Sequence, residues 1–208
     1  MNITHNNQAR RQRGFTLIEM IGVLAIIAVL AGMLVPRVLS AINDSRINST
    51  VMSINGVRSA AMTYFGKYGK FAGVNGAALT LATTTATNWD QAVLVSEGNL
   101  DKPFETKLGT EASTAVEVVA AVTAATTVSA TNAGFDFDGT LTSNEATGSV
   151  VVQIRLPGLA LDEANALNQS LDGASVAAIA AAGSDATGRC KVNHVSGLYD
   201  LLIYVAHK

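Results

Sequence analysis

From Phe15 to Val35 the chain runs FTLIEMIGVLAIIAVLAGMLV, 21 residues that are apolar or small except for one charge, Glu19. At about 1.5 Å per residue a helix of that length covers roughly 30 Å, the thickness of a bilayer's hydrocarbon core. Past Arg37 the pattern becomes one-sided. Ile47, Val51, Ile54, Val57, Ala61 and Tyr64 recur at steps of three and four between polar residues such as Asn48, Asn55 and Arg58, which predicts a helix with one core-facing stripe. The two stretches join into one helix from Phe15 to about Lys67, with bending or unwinding expected at Pro36.

Beyond Gly66 the helical period stops at Gly66, Gly69, Gly73 and Gly76, and a globular head begins. A short helix is predicted over Asn88–Leu94, with Trp89 as a core anchor and an exit turn at Glu97–Leu100. The runs Ala115–Val122, Val150–Leu156 and Tyr199–Val205 are β-branched or apolar and bounded by Gly, Asp or Pro, which suits antiparallel strands. Between the second and third, Asp162–Leu171 is predicted helical, with Leu161, Ala164, Leu167 and Leu171 on one face. The fold class is therefore α+β: a long N-terminal helix, transmembrane in its first half, and a C-terminal antiparallel β-sheet head. The expected segments are 1–14, a basic leader; 15–36, the membrane helix; 37–67, its amphipathic continuation; and 68–208, the head.

Charge sharpens the reading of the first segment. Arg10, Arg11 and Arg13 all fall within residues 1–14, which contain no acid, so the remainder carries 11 Lys and Arg against 16 Asp and Glu, a formal charge of −5. A basic leader ahead of an apolar span stays cytoplasmic and places the rest of the chain outside. The acidic remainder offers no continuous basic surface, so nucleic acid is not an expected partner. A secretory signal removed whole and a single-span anchor both share this pattern. The signal usually has a shorter apolar core ending in a small-residue cleavage site, whereas this run ends at Val35-Pro36-Arg37.

Glu19 separates these readings from a third, because a carboxylate inside an apolar run calls for a partner. Cleavage between Gly14 and Phe15 supplies one, a new α-amino group about one helical turn away. The residues Arg13-Gly14-Phe15-Thr16-Leu17-Ile18-Glu19-Met20 resemble the processing site of type IV prepilins and type II secretion pseudopilins. The resemblance implies a leader peptidase that cuts after Gly14 and methylates the Phe15 nitrogen, and an assembly role for Glu19. It further implies a helix-kinking role for Pro36, an inner-membrane precursor, and export into an extracellular, fimbrial filament. Its partners are then other copies of the chain, the prepilin peptidase and methylase, the inner-membrane assembly platform, and membrane lipid before assembly.

The expected function is a structural pilin of a type IV pilus-like filament, with minor pilin or secretion pseudopilin as the alternative. A membrane-anchored exported domain lies outside the class. The order of strand, helix and final strand after Val150 loosely resembles type IVb pilins, which usually staple this helix to a later loop by a disulfide. Here the helix offers no cysteine, so Cys190, the single cysteine, is either a buried thiol or an intersubunit or reactive one.

Reaction chemistry is sparse. His194 and His207 are expected at the surface, and His5 lies in the leader. Asp136-Phe137-Asp138-Gly139 presents carboxylates but lacks the remaining ligands of a calcium loop, so a tight turn is expected there. No phosphate loop, nucleophile set or metal-spaced cluster is recognisable. The chain is expected to be a non-enzyme with no cofactor and no metal. Asn48-Ser49-Thr50 and Asn168-Gln169-Ser170 match the N-glycosylation sequon.

Overall fold

A computed structural model describes residues 14–79, 88–109, 114–120, 134–137, 148–173, 179 and 183–208. The chain divides into two compact units, Met1–Ile42 and Asn43–Lys208. Helix α1 covers Leu17–Tyr68, a run of 52 residues. The helix runs through Pro36 without a break, so of the bending or unwinding expected there, unwinding does not occur. One proline removes one backbone N–H from the ladder, and the remaining bonds on either side carry the helix through.

In the first unit every described residue is exposed, from Gly14 to Ile42. The apolar part of α1 has mean hydropathy 2.6 over 18 residues, and none of that window is buried. It is the one helix among the described residues long and apolar enough to cross a membrane.

In the second unit α1 buries the stripe that its period predicts: Ile47, Ile54, Val57, Ala61 and Tyr64 are buried, and Val51 is half-buried against the same core. The opposing surface is a four-stranded antiparallel sheet in the order β1-β2-β4-β3. Its strands are β1 (Ala115–Ala120), β2 (Val150–Leu159), β3 (Cys190–Val195) and β4 (Leu198–His207). Side chains alternate along each strand. Val116 and Val118 of β1 and Val152, Ile154 and Leu156 of β2 join the main core, while Val119 and Val151 join a smaller cluster with Phe135 and Leu202.

Strand β2 continues past Leu156, although Pro157-Gly158 predicts its end there. Its pairing shifts between Leu156, opposite Leu201, and Leu159, opposite Tyr199, so the two breakers sit in a bulge facing Asp200, a position where strands tolerate them. The Gly158 amide donates to Asp200 Oδ1 at 3.1 Å. Strand β3 has no counterpart among the strands predicted from sequence. Its residues, Cys-Lys-Val-Asn-His-Val, are half polar, and only pairing with β4 across the Ser196-Gly197 turn makes them a strand.

Helix α2 (Leu161–Asp172) packs Ala164 and Leu167 into the core with Leu161 and Leu171 at its edge. Glu163 reaches back to accept the Ala160 amide at 3.1 Å, satisfying one donor of the first turn. The short helix expected at Asn88–Leu94 is a π-turn over Asp90–Val95. Trp89 is the expected anchor, 1% exposed, donating its indole N–H to the Ala72 carbonyl at 2.7 Å and meeting Tyr64 edge-on at 5.3 Å.

Three polar residues on one side of α2 hold the following segment. Asn165 Oδ1 accepts the Ile179 amide at 2.7 Å, Asn168 Nδ2 donates to Asp185 at 3.3 Å, and Asp172 accepts the amides of Arg189 and Cys190 at 2.8 and 3.0 Å. These bonds tie α2 to the start of β3 without a disulfide. Cys190 is fully buried, and burial followed by the nearby carboxylates of Asp172 and Asp185 pushes its thiol well up, the character of an inert structural thiol.

The Thr-, Ala- and Ser-rich tracts at 80–87 and 123–131, with Asp138 and Gly139, lie outside the described residues.

Candidate functional site at the start of the long helix

The residues singled out from sequence as a processing and assembly site are Gly14, Phe15, Glu19 and Pro36. The structure places the first three together at the start of α1 and Pro36 inside the same helix. Gly14 is exposed ahead of the first helical turn, and a Cβ added to it meets no atom within 4 Å. Packing therefore does not require glycine at 14. Phe15 is 84% exposed.

The first turn is organised by a pair that sequence reasoning did not use. The Thr16 amide and hydroxyl each donate to Glu19 Oε2 at 2.8 Å, and the Glu19 amide donates to Thr16 Oγ1 at 3.3 Å. Because α1 begins at Leu17, Thr16 is the N-cap and Glu19 the third helical residue, which makes a reciprocal capping box. The signal was present as Thr-x-x-Glu. The apolar setting drew attention to the charge of Glu19 rather than to its spacing from Thr16. Farther along, Pro36 is exposed, and its carbonyl accepts the Ser40 hydroxyl at 3.2 Å.

Residues 9–35 match the prokaryotic N-terminal methylation motif. This is the prepilin-type signature. It supports reading the chain as a type IV pilin-like precursor whose apolar helix anchors it in a membrane. The signature ends at Val35. No curated protein and no solved structure matches the chain.

Away from the prepilin-type signature, the other candidates fall into structural roles. Among the described residues no group of three or more His, Cys, Asp or Glu is placed to hold a metal. His194 is half-buried, with its ring 5.1 Å from that of Tyr199, while His207 is exposed and its Nδ1 lies 2.6 Å from the Tyr204 hydroxyl. The sequon at Asn168 is closed, since that side chain is 1% exposed and occupied with Asp185. Asn48 is exposed on α1.

Proposed function

We propose that this chain is the structural subunit of a type IV pilus-like filament, cut after Gly14 and N-methylated at Phe15. The observation that supports it best is a prepilin-type signature on a helix whose described residues, from Leu17 to Arg46, bury nothing within their own chain. Fully burying one Leu, Ile or Val side chain is worth about 1.5–3 kcal/mol, so a run of this kind belongs in lipid or against other copies. Membrane lipid holds it in the precursor, and neighbouring subunits replace lipid on assembly. Residues 1–14 serve as leader, 15–36 as the membrane and assembly helix, 37–67 as its continuation under the head, and 68–208 as the head displayed outside the cell.

The partners of such a subunit are a prepilin peptidase and methylase, an inner-membrane assembly platform and further copies of the chain. Cleavage gives Phe15 an α-amino group about one turn from Glu19, so a carboxylate that is costly in the membrane gains a cationic partner in its own or an adjoining subunit. Chemistry is left to the assembly machinery, with no catalytic role for the chain.

Mass spectrometry of filaments sheared from the cell surface tests the reading. The expected mature N-terminus is N-methylated Phe15, and the chain should be abundant in the sheared fraction if it is the main subunit rather than a minor pilin or pseudopilin. A chain found only in the membrane with residues 1–14 retained overturns the proposal.

A further inference from the structure

A groove of about 590 Å³ runs between the hydroxyl-bearing side of α1 near Ser45–Ser53 and the segment 102–107. The Thr50 and Thr106 hydroxyls, 2.8 Å apart and both buried, join its two walls. Among the described residues three cations line it, Arg46, Lys102 and Lys107, against one acid, Glu105. Glu105 lies 3.7 Å from Lys102. Arg46 and Lys107 make no ion pair among the described residues, although both are exposed. The Thr114 hydroxyl also lines the groove and is buried with no hydrogen-bond partner among the described residues, and buried polar atoms are seldom left unpaired. Among the described residues the cavity therefore combines net positive charge with one hydroxyl lacking a partner, the chemistry that receives a carboxylate.

We propose that this groove receives acidic side chains of a second copy of the chain in the filament, an inference that rests on the filament-subunit reading. Two observations favour a second copy over a free anion. Without residues 1–14 the chain has 16 acids against 11 bases, so the surface of a neighbour is on balance acidic and complements the groove. Ser45 also lies only three residues along α1 from Ile42, where the fully exposed unit ends. A copy that packs against Ile42 itself is within one helical turn of Ser45 by chain continuity. Exposed ion pairs of this kind fix register and partner choice and are screened by salt.

The test uses sheared filaments of the full mature chain treated with a water-soluble carbodiimide, which condenses a lysine amine with a carboxylate to an amide while the reagent takes up the water as a urea. The expected product is a covalent dimer whose digest joins Lys107 to an acidic peptide of another copy. Lys107→Arg keeps the charge, so filaments should persist while that linkage disappears. The charge-reversed double variant Arg46→Glu, Lys107→Glu should lose filaments several-fold at low salt.

Wild-type filaments whose dimers contain no Lys107 linkage overturn the inference and leave the filament reading standing. So does protection of Lys107 by inorganic phosphate with no linkage to another copy, which would make the groove a free-anion site. Absence of any filament from wild type removes the filament reading itself, and this inference with it.

Discussion

The Thr16 amide and the Glu19 carboxylate are 2.8 Å apart and cap the first turn of α1. Glu19 therefore has work in the single chain as well as in the proposed filament, and the two roles separate by substitution. Glutamine at the third helical position can still accept from the Thr16 amide, so Glu19→Gln keeps the cap and loses the charge. Filament counts by electron microscopy, set against membrane levels by immunoblot, should fall sharply for Glu19→Gln with the membrane pool unchanged. Glu19→Ala removes both functions and should assemble no better. Equal filaments from wild type and Glu19→Gln would show that charge pairing does not drive assembly.

Gly14→Val should leave the fold untouched, because a Cβ at 14 meets nothing within 4 Å. Its effect should fall on processing alone. Immunoblots are expected to show nearly all of the protein as precursor, longer than the mature chain by the 14 residues of the leader. Normal cleavage of the variant would refute the assigned cut.

Glu97 ties the end of α1 to the loops beyond it. Its carboxylate, 4% exposed, accepts from Lys67 Nζ at 3.1 Å, the Tyr68 hydroxyl at 2.8 Å and the Asn75 amide at 2.5 Å. Burial alone would raise this carboxyl, but the hydrogen bonds outweigh it and hold it below its ordinary value of 4.5. The folded chain thus releases this proton more readily than the unfolded chain. Its stabilising contribution is complete above about pH 4.5 and is lost as pH falls through the lower folded value. Melting temperatures of the detergent-solubilised mature chain should drop on that acid limb, and Glu97→Gln should flatten it.

Gly109→Ala should destabilise the head by about 1–3 kcal/mol, the scale of a strained backbone position. Gly109 has φ +64°, and a Cβ there would lie 2.5 Å from the Pro157 carbonyl oxygen in the β2 bulge. Gly98, at φ +70° with nothing within 4 Å, is the control. Gly98→Ala carries only the conformational cost of a positive φ, roughly 1 kcal/mol. Chemical denaturation should rank the two variants in that order, and equal losses would contradict the close approach at Pro157.

Asp172→Ala leaves the amides of Arg189 and Cys190 without the acceptor that holds β3 to α2. The Arg189 amide is exposed but the Cys190 amide is part-buried, and a buried donor left unpaired costs about 1–3 kcal/mol, so the start of β3 should loosen. The readout is Cys190, which is buried in the native chain. Maleimide labelling should be slow in wild type and faster in Asp172→Ala under native conditions. Labelling of wild type at the rate of an unfolded chain would contradict the burial of Cys190.

The local patterns of the sequence settled the long apolar helix, its core-facing stripe and the prepilin-type signature. They also located three strands, β1 and parts of β2 and β4, and helix α2. All of these depend on neighbours within a few residues, where periodicity and capping chemistry act. Three-dimensional pairing decided the rest. Nothing local marks Cys190–Val195 as a strand, because Lys191 is a poor core residue until its Nζ finds the Gly134 carbonyl at 2.8 Å and the Phe135 ring at 4.3 Å. Pro157-Gly158 breaks a strand unless Asp200 stands opposite to take the Gly158 amide. Glu97 is an ordinary turn residue until Lys67, Tyr68 and Asn75 converge on it. In each case the deciding partner lies more than 20 residues away in sequence, and a contact at that separation exists only once the chain has paid the entropy of closing the loop between.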